Sequence, residues 1–258
     1  MTQCYTFANQ KGGVGKTTTV VNVAGSLADM GYHVLVVDID PQCNGTTCLG
    51  YNARDLSTSI YDVLSGNHVA EDAILDTRWE GLSILPSVPA LAGIVVELNA
   101  LPPFDRAIRL KERLTGLSTY DYILIDSPPS LGVLTVNGLT AADGVIVPVQ
   151  CEYLALEGLA QLIRTIKLVQ RGLNPRLLLK GVVMTMYDVR TTLSKEVVQE
   201  VRAYFPDNVY ETIIPRNVRV SEAPSYGEPV VFYAPTSSGA RAYRKVTEEL
   251  LRSDGHPV

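Results

Sequence analysis

The run Lys11-Gly12-Gly13-Val14-Gly15-Lys16-Thr17-Thr18 stands two residues after the apolar stretch Cys4–Ala8. Its glycines let the backbone turn tightly and aim several N–H groups at one anion. A helix starting at Thr17 adds the partial positive charge of its N-terminus. In such a loop Lys16 reaches the β- and γ-phosphates, and the Thr17 hydroxyl ligates Mg²⁺. Gln10 occupies the first glycine position of the usual G-x-x-x-x-G-K-[ST] pattern, and Lys11 is an additional cation. A lysine there serves its own nucleotide or one held by a facing subunit. The plainer alternative is a glycine-rich turn with two solvated lysines. It leaves the order of strand, loop, Gly-Lys-Thr and helix unexplained.

Carboxylates at strand ends supply the complementary chemistry. Val34-Leu35-Val36-Val37-Asp38-Ile39-Asp40 places two of them where an open α/β sheet faces its ligand crevice. One or both can approach a metal or an attacking water. Tyr122-Ile123-Leu124-Ile125-Asp126 is a second apolar strand ending in Asp, the Walker B arrangement that holds Mg²⁺ directly or through water. Each Asp alone could be a turn or cap residue. Three of them beside a phosphate loop argue for a nucleotide site. The chain has neither an Asn-Lys-x-Asp segment nor an Asp-x-x-Gly after Asp126, so the expected nucleotide is ATP.

These groups need a sheet to hold them. Strands are expected at Cys4–Ala8, Val34–Asp38, Leu82–Leu85, Tyr122–Asp126, Gly144–Val149 and Leu178–Thr185. Their runs are apolar on both faces, as in a parallel sheet covered by helices. Helices are expected at Thr17–Asp29, Arg106–Leu117, Leu154–Arg171, Thr192–Tyr204 and Ser238–Leu251, with Gly31 stopping the first. The alternation implies βαβ units and an α/β fold: a doubly wound, mostly parallel sheet flanked by helices on both faces. Without repeats or a Gly/Ser linker, residues 1–252 read as one domain. Residues 253–258 read as a short flexible tail.

Composition narrows the class. The chain has 258 residues, 46% of them hydrophobic, enough for a substantial core. No run approaches the roughly 18 apolar residues of a membrane span, and no signal peptide precedes the loop, so the expected location is cytoplasmic. Cys4, Cys43, Cys48 and Cys151 form no C-x-x-C pair, which points to reduced thiols rather than a metal or iron–sulfur site. Residues 1–159 hold 8 Lys+Arg against 17 Asp+Glu, whereas residues 160–258 hold 14 against 10. A basic C-terminal part on an acidic chain fits an anionic partner or simply solvated helix faces.

Taken together, Lys11-Gly-Gly-Val-Gly-Lys16-Thr, Asp38-Ile-Asp40-Pro-Gln, Asp126-Ser-Pro-Pro-Ser and Pro215-Arg-Asn-Val-Arg-Val-Ser-Glu-Ala-Pro224 resemble the deviant-Walker ATPases. The nearest resemblance is to the ParA/Soj group that partitions chromosomes and plasmids. Glu152–Gly158 and Thr185–Arg190 are similar to that group too. The resemblance runs from about residue 3 to about residue 251. It implies an ATP-dependent sandwich homodimer in which Lys11 reaches the partner's phosphates and Gly12 lies at the interface. Gly13, Val14, Gly15, Lys16, Thr17 and Thr18 would bind the nucleotide and Mg²⁺. Asp40 would orient the attacking water and take part with Asp126 at the metal. Pro215 and Asn217 would contact adenine. The resemblance further implies nucleoid-associated, sequence-nonspecific binding of double-stranded DNA through Arg190 and Arg219, with Lys195, Arg216 and Arg244 as weaker additions. A ParB-type centromere-binding protein would accelerate a slow hydrolysis. With the phosphate loop near residue 10, no N-terminal helix-turn-helix is expected. The ending Gly-His-Pro-Val lacks the amphipathic membrane helix of a MinD-type positioning ATPase, the competing expectation. A metabolic ligase or kinase on the same fold is the third.

Overall fold

The structure is a computed structural model that describes residues 2–152 and 155–257. β1 (Gln3–Phe7) runs through the glycine loop into α1 (Lys16–Asp29), and β2 (Val34–Asp38) follows. Three short helices, α2 (Asn44–Cys48), α3 (Ile60–Ser65) and α4 (Ala70–Ala73), lead to β3 (Leu75–Asp76) and β4 (Leu82–Leu85). Next come α5 (Leu91–Ala100), α6 (Pro103–Leu114), β5 (Tyr122–Asp126) and α7 (Val133–Ala141). The chain continues with β6 (Gly144–Gln150), α8 (Ala155–Gly172), β7 (Leu178–Thr185) and α9 (Thr192–Tyr204). It closes with α10 (Val218–Glu222), α11 (Val230–Tyr233) and α12 (Ser238–Ser253).

The seven strands form one sheet in the order β3-β4-β2-β5-β1-β6-β7, parallel except for the β3–β4 pair. Alternate residues along each strand point to opposite faces. On one face Phe7, Val36, Leu124 and Ile146 pack with Val20, Leu27, Tyr243 and Val246 of α1 and α12. On the other, Val37 and Ile125 meet Leu91, Ile94 and Leu110, while Val147 and Met184 meet Leu162 and Val201. Both faces are thus covered, and a doubly wound α/β sheet is the result.

All six expected strands form, four of them at the expected residues. The helix expected over Arg106–Leu117 begins earlier, at Pro103, because proline's fixed φ suits a first turn. The expected start at Leu154 lies outside the described residues. Just past α12 the Asp254 side chain is 2% exposed and ion-paired with Lys180. It also accepts hydrogen bonds from the Tyr5 and Tyr122 hydroxyls. A polar residue there stays ordered because β1, β5 and β7 together offer it a cation and two donors.

The topology fixes where chemistry can occur. Phe7 pairs with Asp126, and Asp126 pairs with Asp38. The carboxyl ends of β1, β5 and β2 therefore finish in one row, with the glycine loop rising from it.

Candidate functional site

The loop takes the shape its glycines permit. Gly13 and Gly15 have φ of 74° and 85°, a region closed to most side chains, and Gly15 caps α1. The first turn of α1 carries no acidic residue, so its free N–H groups and dipole remain available to an anion. Asn9, 4% exposed, pins the loop's start: its amide donates to the Pro148 carbonyl of β6, and its Oδ1 accepts the Lys11 N–H. Thr185 Oγ1 donates to the Val14 carbonyl at 2.8 Å and pins the loop's far side.

Above α1 lies a cleft of about 410 Å³ lined by Gly12, Gly13, Gly15, Lys16, Thr17, Thr18 and Asp40, with Gln42, Asn44, Cys48, Pro129 and Met186. Lys16 Nζ donates to the Lys11 carbonyl at 3.2 Å. Burial pushes the Lys16 ammonium below its ordinary pKa, while Asp126 and Asp40 hold it charged. Val14, buried at 1% exposure, is not among the residues that line this cleft; its carbonyl is taken by Thr185 Oγ1.

The three carboxylates have different surroundings. Asp38 is met by its own chain: Thr46 N–H and Thr46 Oγ1 both donate to Oδ2 at 2.8 Å, and the Asp40 N–H donates to Oδ1. Burial nevertheless raises its pKa to about 6. Asp38 is thus committed to the turn that opens α2. Asp40 faces the cleft and accepts the Gln42 N–H, with burial raising its carboxyl and Lys16 opposing. Asp126 is fully buried, and neither carboxylate oxygen has a hydrogen-bond partner of good geometry. Burial and the neighbouring Asp38 push its pKa well above the carboxylate range, against the pull of Thr17 and Lys16.

An orphaned carboxylate beside Thr17 is what a divalent cation would satisfy. Among the described residues, no three His, Cys, Asp or Glu side chains cluster as a metal cage. A cation here would take phosphate and water oxygens besides Thr17 and Asp126, the coordination Mg²⁺ favours.

A second pocket of about 230 Å³ continues from the first, sharing Gly15, Thr18 and Met186 and reaching Pro215, Asn217 and Tyr243. Asn217 spends its side chain on structure. Its Oδ1 accepts the Arg219 N–H at the start of α10, and its Nδ2 donates to Ser238 Oγ. A base in this pocket would also meet Pro215, Val220, Pro224 and Tyr243, which line it.

The remaining expected residues lie at the rim or beyond. Lys11 extends its ammonium, 41% exposed, to 3.9 Å from Glu152 Oε2. Arg190 is 82% exposed and forked onto Asp188; Arg219 is 59% exposed and paired with Glu222. A bridge between Tyr187 and Pro215 sets their two segments side by side. Sequence reasoning did not single out Asn9, Thr46 or Met186. Thr46 lies eight positions beyond the carboxylate it serves, and no spacing rule marks such a pair.

The AAA-domain family AAA_31 matches residues 2–179. The sporulation initiation inhibitor protein Soj of Bacillus subtilis is 51% identical over 243 residues, 94% of this chain and 95% of its own. The chromosome partitioning protein ParA of Caulobacter vibrioides is 51% identical over 95% of this chain and 92% of its own. Among solved structures, the cobyrinic acid a,c-diamide synthase of Mycobacterium smegmatis with bound ADP and magnesium superposes with a TM-score of 0.87. It is 41% identical, covering 99% of this chain and 96% of that one. The septum site-determining protein MinD of Pyrococcus horikoshii, complexed with Mg-ADP, gives 0.78 at 27% identity, covering 99% and 98%.

Proposed function

The chain belongs to the AAA_31 family and, within it, to the Soj/ParA group of ATPases, and from that premise we propose that it is a partition ATPase whose ATP-bound dimer holds DNA. The phosphates of ATP lie in the larger cleft over the α1 N-terminus, and adenine lies against the backbone of Pro215 and Asn217. Thr17 and Asp126 hold Mg²⁺, which when bound neutralises phosphate charge. Asp40 orients the water that receives the γ-phosphoryl group. Lys16 and the loop amides stabilise the charge as it transfers.

Lys11 completes the site of a facing copy of the chain. Its exposed ammonium at the rim supports that role, since Glu152 is its only anionic neighbour among the described residues. Dimerisation then couples nucleotide to DNA by doubling a surface too weak when single. Arg190 and Arg219 contact phosphates. Both guanidinium groups are exposed and each is held by one carboxylate, Asp188 or Glu222, with which a phosphate can compete. A ParB-type partner accelerates hydrolysis and releases the dimer from the nucleoid.

The observation that carries this reading is the unpartnered Asp126 carboxylate beside Thr17, in a chain 51% identical to Soj across 94% of its length. The test is duplex binding with ATP, with ADP and without nucleotide, each at two salt concentrations. Binding only with ATP, falling steeply with salt, is expected. Binding indifferent to nucleotide, or none, sinks the proposal. Light scattering on a sizing column adds the dimer: Lys11→Ala should bind ATP and remain a monomer.

The 41% identity to a protein named cobyrinic acid a,c-diamide synthase favours a second reading, an ATP-using synthase. Acceleration of ATP turnover by cobyrinic acid rather than by DNA and partner would select it.

A further inference from the structure

Met186 lies where the two halves of the cleft join, and it lies there in an unusual backbone. Its φ is 53°, and among the described residues only Cys43 is another non-glycine with positive φ. Left-handed φ disfavours a side chain, because Cβ crowds the following carbonyl. Such a conformation persists where surrounding bonds impose it.

Here those bonds can be named. On the residue before, Thr185 Oγ1 holds the Val14 carbonyl at 2.8 Å, and its carbonyl accepts the Cys151 N–H. On the residue after, the Tyr187 N–H donates to the Ile214 carbonyl, and the Tyr187 carbonyl accepts the Arg216 N–H. One step earlier, the Met184 carbonyl accepts the Ile214 N–H. Residue 186 therefore sits between a segment tied to the phosphate loop and a segment tied to the Pro215 wall. The kink turns its side chain into the cleft.

The half-buried side chain reaches both pockets. Met186 lines the phosphate-side and the base-side pocket alike, and its Cε would lie 3.7 Å from a Cβ placed on Gly15. A thioether has no strong donor or acceptor, and it adapts to apolar and aromatic surfaces. The position between phosphates and base belongs to the sugar and the near edge of the purine.

We infer that Met186 is a nucleotide-positioning residue whose thioether packs on the ribose and purine of bound ATP or ADP and sets how tightly the nucleotide is held. This rests on the assignment of the cleft to an adenine nucleotide. Because the contact is the same before and after the γ-phosphoryl group departs, it binds ground state and transition state alike. Its loss raises KM and leaves kcat in place.

The experiment is titration of the full chain with fluorescent mant-ATP and mant-ADP, together with steady-state ATP turnover and thermal melting. The variants are Met186→Gly, Met186→Ala and Met186→Leu. Glycine adopts the native φ freely, so Met186→Gly should melt no lower than the wild type while binding both nucleotides about tenfold more weakly, with KM raised and kcat unchanged. Met186→Ala should weaken binding similarly. Met186→Leu should restore most of the affinity. Wild-type affinity in a folded Met186→Gly overturns the inference, as does a fall in kcat at unchanged KM. Wild-type protein that binds neither nucleotide would instead sink the assignment of the cleft itself.

Discussion

Asp126 is the residue whose surroundings on its own chain are least complete. A carboxylate with both oxygens buried and unpaired costs the fold free energy, and its raised pKa expresses the same penalty. Asp38, equally buried, escapes most of it through three donors from residues 40 and 46. The two therefore respond differently to neutral isosteres. Asp126→Asn removes a group whose charged form burial penalises, so it should leave the chain at least as stable as the wild type in chelator-treated buffer. The same substitution should abolish the extra stability that magnesium and ATP confer. Chemical denaturation with and without Mg-ATP checks both halves. A variant less stable without metal would mean that Asp126 is satisfied in a way the site geometry does not show. The sequence marked Asp126 as a metal residue from its place at the end of an apolar strand, in company with Asp38, Asp40 and the phosphate loop. That Asp38 would turn inward to Thr46 was not legible, since the two possible roles look alike until α2 is placed.

At the scale of the element, α1 carries the site on its first turn and the fold on the rest of its length. Gly25 lies in its middle, where a glycine ordinarily costs about 0.5–1 kcal/mol relative to alanine. Propensity alone would thus make Gly25→Ala stabilising. Packing reverses the sign: a Cβ there would lie 2.5 Å from Pro229 Cβ and 2.8 Å from Pro229 Cγ. Pro229 has little room to yield, because the next residue's N–H donates to Asn22 Oδ1 of the same helix at 2.6 Å. Overpacking of this kind costs about 1–3 kcal/mol, so Gly25→Ala should lower the denaturation midpoint. A raised midpoint would show that α11 shifts freely on α1. The strands were legible because each is a short apolar run ending in a distinct residue. Helix α7 was not, since Leu134, Thr135, Asn137, Gly138, Leu139 and Thr140 are all buried and leave no polar face to set a period. β3 has two residues and pairs only with β4, too short for any pattern.

Across the whole molecule, the sheet has a chemical end and an end that only holds. At the amino ends of the strands, Asp254 gathers Lys180 of β7, Tyr5 of β1 and Tyr122 of β5, while His256 sits edge-on to Tyr32. Lys180 Nζ also donates to the Ser253 carbonyl at 3.3 Å. The pair is sheltered, with 14% and 2% of the two side chains exposed. It closes three strands over the end of α12, which itself packs on α1. Removing one member of such a pair leaves a desolvated charge and costs about 3–5 kcal/mol, whereas replacing both with apolar groups costs far less. Asp254→Ala should therefore lower the melting temperature by on the order of 10 °C for a chain of this size. The double variant Lys180→Met with Asp254→Leu should recover most of that loss. Nucleotide affinity should stay at the wild-type value in both, because the loop and Asp126 occupy the opposite ends of the same strands. Calorimetry and a nucleotide titration on one preparation separate the two ends. If Asp254→Ala melts like the wild type, the carboxylate is not closing the sheet. If nucleotide binding falls with stability, the two ends are coupled through α12 and α1.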